Sequence, residues 1–237
     1  SGGIPMGSFF RRLVIALDRG DITKVPFSDD ITSDSRLLMR RNIRERLNTV
    51  APFLTFDADP YIVVTKEGRL VWLVDGYTTS DSFPYARHYR LGNASVNYMR
   101  NSVKAAIDAY DGTVALYVFD ADDPVIGSYR RTFPTLFRDA AEMPPDLRNH
   151  VRYPELMLEM QAAVYGLYHM TSSDVFYNRE DLWTVASEVR TNDSNPQAAQ
   201  TLEPNFVLMK LPGEPALEFV EILPFTPANR NNLIGWI

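Results

Sequence analysis

The dipeptide Asp111-Gly112 lies between two apolar runs, at 103–110 and 113–119. Asp-Gly between alternating apolar residues is a strong short-range signal for a β-hairpin, because both turn positions favour positive φ. The same arrangement, with a glycine-containing turn between two apolar runs, predicts hairpins at 61–74 and 206–223. The chain is therefore expected to contain an antiparallel or mixed sheet.

Helical patterns surround these hairpins. Ser8 can cap a helix at 9–19 that ends at Gly20. A second helix is predicted at 35–50 and ended by Pro52, and it carries five arginines: Arg36, Arg40, Arg41, Arg44 and Arg46.

Further along the chain, helical segments are predicted near 124–140 and 145–150, and a longer helix at 155–169 follows Pro154. The polar stretch at 190–203 is typical of a mobile loop. Hairpins with segregated helices predict an α+β fold in which helices pack on a sheet built from hairpins.

Composition narrows the possible functions. Apolar residues make up 45% and charged residues 23% of the 237 positions, as in an ordinary globular protein. The net charge of −6 argues against a nucleic-acid partner, because such proteins normally carry a basic excess. The absence of cysteine excludes disulfides and thiol nucleophiles. No apolar run approaches the ~20 residues that span a bilayer.

The first fifty residues differ from the rest of the chain, since they carry nine basic and six acidic side chains. Arg36, Arg40 and Arg44 are therefore candidate contacts for anionic lipid or an acidic partner. A solvated helix face is the plain alternative. The apolar residues of the 9–19 helix cover most of its circumference, so this helix is expected to be buried or to lie on a membrane surface.

A candidate polar site follows the strand predicted at 70–74. Asp75 and Asp81 could act as an acid and base pair in glycoside hydrolysis. Together with Tyr77 and Thr78 they could instead form a recognition loop, or simply connect two elements. Asp111 and Asp120 are a second candidate carboxylate pair.

Metal and cofactor signals are weak. The cluster of Asp120, Asp122 and Asp123 contains carboxylates suited to a hard cation, but the rest of a calcium-loop pattern is missing, and an exposed acidic turn is the preferred interpretation. His88, His150 and His169 have no metal-ligand spacing. No common nucleophile or nucleotide-binding motif is present, and the sequence predicts no cofactor.

Several long stretches resemble uncharacterised protein family 0182, a group of large bacterial multi-pass membrane proteins. The resemblance covers nearly the whole chain. The stretches that carry it include Asp75-Gly-Tyr-Thr-Thr-Ser-Asp, Asn97-Tyr-Met-Arg-Asn-Ser-Val-Lys, Asp108-Ala-Tyr-Asp-Gly-Thr-Val, Phe176-Tyr-Asn-Arg-Glu-Asp-Leu-Trp and Ile222-Leu-Pro-Phe-Thr-Pro.

This resemblance implies the first part of a soluble extracytoplasmic region. We expect a single soluble domain at 1–237, with a helical membrane-proximal segment at 1–52 and a sheet-and-helix body at 53–237. The apolar last residues, 232–237, lead us to expect that the native protein continues. The resemblance transfers no catalytic or ligand residue.

The expected function is a role in ligand binding, assembly or interaction. The expected partners are the protein's own transmembrane region, a second copy or other envelope proteins. The alternatives are an envelope carbohydrate hydrolase or transferase that uses paired carboxylates, and a scaffold whose function lies elsewhere in the protein.

Overall fold

The computed structural model describes residues 3–189, 199–230 and 232–237. The fold is α+β, as predicted, and the chain divides into two compact units, Ser1–Val151 and Arg152–Ile237. This boundary differs from the predicted division at residue 52. The reason is that Leu47, within the predicted N-terminal segment, is completely buried in the same core as the sheet residue Val74.

The elements of the first unit alternate between short strands and short helices. In chain order they are β1 (Ile4–Pro5), α1 (Phe9–Arg19), β2 (Arg36–Leu37), α2 (Ile43–Val50), β3 (Thr55–Phe56), β4 (Tyr61–Val64), β5 (Leu70–Ser80), β6 (Tyr89–Leu91), β7 (Ala94–Val96), β8 (Tyr98–Asp108), β9 (Val114–Val118), α3 (Pro124–Thr132), β10 (Phe137–Asp139), a 3-10 turn (Ala140–Glu142) and α4 (Pro145–Arg148).

A mixed six-stranded sheet forms the centre of this unit. Its order is β10-β9-β8-β5-β3, and β4 also pairs with β5. The pairs are antiparallel except β9 with β10, which run parallel and are connected through α3. The predicted hairpins β4–β5 and β8–β9 are confirmed, and Gly112 has the positive φ of 71° that the second turn needs.

The core lies on both faces of this sheet, as side-chain alternation along a strand requires. One cluster contains Leu47 of α2, Val103 of β8 and Ile126 of α3. The other contains Ala106 of β8, Tyr117 of β9 and Leu147 of α4.

Three predicted elements are corrected. The helix predicted at 35–50 begins only at Ile43, because residues 36–37 pair with β1 and the side chain of Asn42 caps α2 by accepting from the backbone of Arg44 and Glu45. The helix predicted near 124–140 ends at Thr132, and the chain beyond Pro134 forms β10. The segment predicted near 145–150 is helical only over Pro145–Arg148.

The second unit contains α5 (Glu155–Tyr168), α6 (Ser173–Asn178), β11 (Trp183–Val185), β12 (Ser187–Val189), β13 (Ala199–Thr201), β14 (Asn205–Met209), β15 (Glu218–Ile222), β16 (Pro224–Pro227) and β17 (Gly235–Trp236). The predicted helix at 155–169 and the predicted hairpin at 206–223 are confirmed as α5 and as β14–β15. Most of the predicted loop at 190–203 falls outside the described residues, and 199–201 form β13.

Helix α5 packs on the sheet β11-β16-β17, with Leu158, Ala162 and Phe225 at the centre of the contact. Gly166 allows this approach, because an added Cβ would lie 2.5 Å from the carbonyl oxygen of Trp183. In the parts of the chain that the structure describes, no helix has both the length and the apolar character needed to cross a membrane.

Candidate functional site

A β-bulge in the central sheet gathers polar side chains. Gly76 pairs with Val103 and Thr78 pairs with Arg100, so that Asn101 and Ser102 together stand opposite the single residue Tyr77. A bulge turns neighbouring side chains in new directions, and bulges are frequent beside functional sites. Two hydrogen-bonded groups meet this bulge, one around Asp123 and one around Asp75.

The Asp123 carboxylate is the centre of the first group. It accepts hydrogen bonds of 2.6 Å from the hydroxyls of Thr78, Ser102 and Tyr98, and one of 2.9 Å from the backbone N–H of Val125. Burial raises the pKa of Asp123, but the hydroxyl hydrogen bonds outweigh burial and leave the pKa below its usual value. The same environment, burial first and then Asp123, raises the pKa of Tyr98 to about 12.

The second group contains a buried ion pair. The Lys104 ammonium donates to Asp75 Oδ1, which also accepts a 3.1 Å hydrogen bond from the side-chain amide of Asn101. Burial raises the pKa of Asp75 even though Lys104 opposes that effect. Beside this pair, the Tyr77 hydroxyl donates a 2.6 Å hydrogen bond to Asp57.

These positions correct the predicted recognition loop. Asp75, Tyr77 and Thr78 lie inside the eleven-residue strand β5 and are buried, and their polar groups bond to other residues of the protein. Asp81 follows the strand and is exposed, and Ser82 and the backbone lower its pKa. The strand was predicted to end at Val74, because the aspartate and glycine that follow are uncommon in strands.

The candidate carboxylate pairs do not share a cleft. A strand rises ~3.3 Å per residue, so Asp75 and Asp81 stand roughly 20 Å apart along the chain direction. Asp111 precedes β9 and Asp120 follows it, so they flank a strand of about 16 Å. Glycoside hydrolysis needs carboxyl groups ~5–9.5 Å apart. Asp111 and Asp120 instead pair with Arg69 and Arg100, at 3.4 and 3.0 Å.

Two members of the acidic cluster after β9 stabilise the fold, and the third is exposed. Asp123 caps α3 and receives four hydrogen bonds, Asp120 pairs with Arg100, and Asp122 is exposed. Among the described residues, no group of three His, Asp or Glu side chains could hold a metal ion. His88 and His150 contact the backbone carbonyls of Asp81 and Asp146, and the ring of His169 stacks on Trp183 with 3.9 Å between centroids.

The candidate arginines do not form one helix face. Arg36 lies in β2, Arg40 lies before α2 with a positive φ of 50°, and Arg44 is exposed in the first turn of α2. Arg46, by contrast, is structural, because its guanidinium donates to the carbonyl oxygens of Met39, Arg40 and Gly112.

A pocket of about 460 Å³, which we call the N-terminal pocket, lies between α1, β2 and the start of α2. Its apolar lining residues are Met6, Ile15, Val25, Ile31, Leu37, Leu38 and Met39, and its charged lining residues are Arg19, Arg40, Arg41 and Glu45. Of the three candidate contact arginines, Arg36, Arg40 and Arg44, Arg40 lines it and the other two do not. Sequence analysis missed this pocket because its walls meet through the long-range pairing of β1 with β2.

The other side of α1 carries an exposed apolar stripe. Phe10, Val14 and Leu17 are 71%, 49% and 58% exposed, whereas Ala16 on the inner side is completely buried. Phe9 and Phe27 extend the stripe, with ring centroids 5.8 Å apart. The prediction left burial and membrane contact open for this helix, and the structure leaves these large apolar side chains in solvent.

The bulge in the central sheet and the outer side of α1 therefore differ in what they can bind. The carboxylates at the bulge already bond to buried donors, so they stabilise the sheet. The apolar stripe on α1 and the exposed Arg11 beside it, which together we call the N-terminal surface, combine accessible apolar groups with an accessible cation. This combination is the chemistry of a binding surface.

Comparison with known proteins agrees with the predicted resemblance. The model of the Uncharacterised protein family (UPF0182) matches residues 1–237. A UPF0182 protein of Methanospirillum hungatei JF-1 is 48% identical over 233 residues, and one of Pelobacter propionicus is 49% identical over 237 residues. UPF0182 protein GSU2333 of Geobacter sulfurreducens is 47% identical over 236 residues.

These matches cover 97–100% of this chain but 25% of each relative, so the chain spans about a quarter of their length. No solved structure matches it. A family model that matches all 237 residues, together with relatives nearly half identical over the same span, shows that this chain belongs to the uncharacterised protein family UPF0182.

Proposed function

We propose that this chain is an extracytoplasmic interaction domain of a larger membrane protein, and that its N-terminal surface lies against an anionic lipid bilayer. The observation that carries the proposal is the exposed apolar stripe of Phe10, Val14 and Leu17 on α1. A water-facing helix normally presents polar residues there, and contiguous exposed apolar groups mark contact surfaces.

Hydrophobic burial supports lipid contact. Fully burying a Phe, Leu or Val side chain stabilises by about 1.5–3 kcal/mol, and interfacial helices insert their apolar face into the boundary between headgroups and acyl chains. Three side chains that are 49–71% exposed could together contribute a few kcal/mol.

Charge supports an anionic surface. Residues 1–50 hold nine basic and six acidic side chains, although the whole chain carries a net charge of −6. Arg11 is exposed on α1, directly after Phe10 of the stripe. Each Lys or Arg near an anionic membrane contributes about 1 kcal/mol of attraction.

Membrane association would place this domain beside the rest of its protein. The chain spans about a quarter of its relatives, and the remaining three quarters supply its nearest partners in this proposal, including the transmembrane region. A second copy or another envelope protein could then meet the domain on a face that the bilayer leaves free.

Vesicle co-sedimentation tests the lipid contact. In the double variant Phe10→Ser/Leu17→Ser, the partition coefficient for phosphatidylglycerol vesicles should fall at least tenfold. The circular dichroism spectrum should stay unchanged, because both side chains are exposed. Leu208→Ser/Leu217→Ser is the matched control, since these residues are 63% exposed in the second unit. Equal partitioning of wild type and the α1 variant would overturn the proposal.

Cysteine labelling in whole cells tests the location. The chain has no cysteine, so Asn93→Cys, in the exposed turn between β6 and β7, adds one accessible thiol to the full-length protein. A membrane-impermeant maleimide should label this variant above the level of the unsubstituted full-length protein. Ala105→Cys, at a buried position, should react only after denaturation. Labelling of Asn93→Cys only in lysed cells would place the domain in the cytoplasm.

A further inference from the structure

We infer that the N-terminal pocket is a binding site for one anionic amphiphile, with an aliphatic chain against its apolar walls and a carboxylate or phosphate on its arginines. This goes beyond surface docking, because the stripe and the pocket lie on different sides of α1. The stripe uses Phe10 and Leu17, whereas the pocket uses Ile15 and Arg19.

Hydrogen bonds between the wall segments hold the pocket in shape. Ile4 pairs with Leu37 and Pro5 with Arg36. The N–H of Met6 donates a 2.8 Å hydrogen bond to the carbonyl of Ser35, and Arg12 Nε donates one of 2.6 Å to the carbonyl of Met6. A pocket held in shape by such bonds loses less conformational entropy when a ligand enters.

The walls suit an aliphatic chain. Seven of the eleven lining residues are aliphatic or methionine, and the lining contains no aromatic ring. The volume of about 460 Å³ falls in the usual range for small-ligand pockets, which are mainly apolar with a few placed polar groups. Methionine side chains at positions 6 and 39 adapt readily to chains of different shape.

The charged lining residues suit an anionic head. Arg19, Arg40 and Arg41 line the pocket together with a single carboxylate, Glu45. Across the described residues, no carboxylate lies within salt-bridge distance of the Arg40 or Arg41 guanidinium group, whereas Arg69, Arg100 and Arg130 all have such partners. Arginine binds carboxylate and phosphate through two parallel hydrogen bonds, so two unpaired guanidinium groups favour an anion.

The backbone conformation at Arg40 indicates that its side chain is held in one direction. Its positive φ of 50° is uncommon for a residue with a Cβ and costs on the order of 1 kcal/mol or more. Arg46 stabilises this conformation by donating to the carbonyls of Met39 and Arg40 at 3.0 and 3.1 Å. Such strain concentrates where a side chain must point in one direction, and here Arg40 lines the pocket.

Calorimetric titration of the 237-residue chain tests this inference. Dodecanoate and dodecyl phosphate, each below its critical micelle concentration, should bind at one site per chain. Dodecanol should bind at least tenfold more weakly, because it leaves the arginines unpaired. Equal affinity for the neutral probe, or no binding of either anion, would overturn the inference.

Substitutions locate the site. Arg40→Gln/Arg41→Gln should weaken anion binding at least tenfold, while the matched control Arg44→Gln, an exposed arginine outside the pocket, should bind as wild type does. Ile31→Trp should fill the apolar wall and exclude both anions. Wild-type affinity in the double arginine variant would contradict the assignment.

Two further experiments identify the kind of ligand and test whether the stripe and the pocket are separate sites. Comparing dodecanoate with dihexanoyl phosphatidylglycerol distinguishes a free fatty acid from a phospholipid. Phe10→Ser/Leu17→Ser should lose vesicle partitioning but keep dodecanoate binding, because these side chains do not line the pocket. Loss of both properties in that variant would show that the two sites are one.

Discussion

Arg46 Nη1 donates a 2.8 Å hydrogen bond to the carbonyl oxygen of Gly112, which ties α2 to the turn between β8 and β9. The same guanidinium reaches the carbonyls of Met39 and Arg40. One side chain therefore connects the central sheet, α2 and the strained residue of the N-terminal pocket. Since Leu47 of α2 is also in the sheet core, the basic N-terminal segment is held firmly to the first unit.

Replacing Gly112 by alanine should destabilise the protein by about 2 kcal/mol or more. The residue has a positive φ of 71°, which costs a Cβ-bearing residue roughly 1–2 kcal/mol, and the new Cβ would lie 2.5 Å from Arg46 Cζ. Gly68→Ala is the control, because Gly68 has φ of 75° and open space around the position of its Cβ. Urea unfolding measures both, and equal losses would contradict a role for the Arg46 contact.

Replacing Lys104 by methionine should cost about 3–5 kcal/mol at pH 7, because it leaves the Asp75 carboxylate buried without its ion-pair partner. The double variant Lys104→Met/Asp75→Leu should recover a large part of that loss. Urea unfolding of the two variants measures the difference, and no recovery in the double variant would argue against a pairwise interaction.

The pH dependence of Lys104→Met follows from the pKa of Asp75. Burial already raises this pKa, and removing Lys104 raises it further, because Lys104 is the largest cause that lowers it. When the folded-state pKa of a carboxyl group lies above its unfolded-state pKa, protonation of that group stabilises the folded protein. This stabilisation is complete below the unfolded-state pKa and is lost as pH rises through the folded-state pKa. The variant should therefore recover stability relative to wild type as pH falls from 7 to about 4. A constant difference would show that Asp75 does not titrate there.

Replacing Asp123 by asparagine should cost about 2–4 kcal/mol at pH 7, because an amide oxygen cannot accept all the hydrogen bonds that the carboxylate accepts. The pKa of Asp123 lies below its ordinary value of 3.8, so its stabilisation is present above that value and is lost as pH falls through the folded pKa. The gap between wild type and variant should shrink below about pH 4.

Urea midpoints at pH 7 and pH 3 measure this change. Asp122→Asn, an exposed neighbour outside the hydrogen-bonded group, should match wild type at both values. A gap between wild type and Asp123→Asn that is the same at both pH values would contradict the assigned titration.

Local patterns predicted the elements whose ends are set by nearby residues. Helix α1 was predicted at 9–19 and found at Phe9–Arg19, and Gly20 ends it with φ of 72°. Ser8 precedes the helix in an extended conformation, but its side chain makes no capping hydrogen bond. The hairpin at Asp111-Gly112 was also found, since the turn residues and the alternation lie within a few positions of each other.

The errors arose where distant residues decide the conformation. Residues 36–37 form β2 because β1, about thirty residues earlier, pairs with them. Asp75 could stay in a buried strand only because Lys104 lies opposite it. The same holds for the candidate site. The local excess of basic residues pointed to Arg40, but the pocket beside it forms only where three segments that are distant in sequence meet.

Tryptophan fluorescence with Phe10→Trp measures whether α1 lies in the lipid interface. With phosphatidylglycerol vesicles containing brominated acyl chains, membrane contact through α1 should give a blue shift and strong quenching beyond those of wild type, whose tryptophans are Trp72, Trp183 and Trp236. Phe83→Trp, at an exposed position that is not part of the stripe, should show neither change. An unshifted, unquenched Trp at position 10 in the presence of these vesicles would contradict membrane contact through α1.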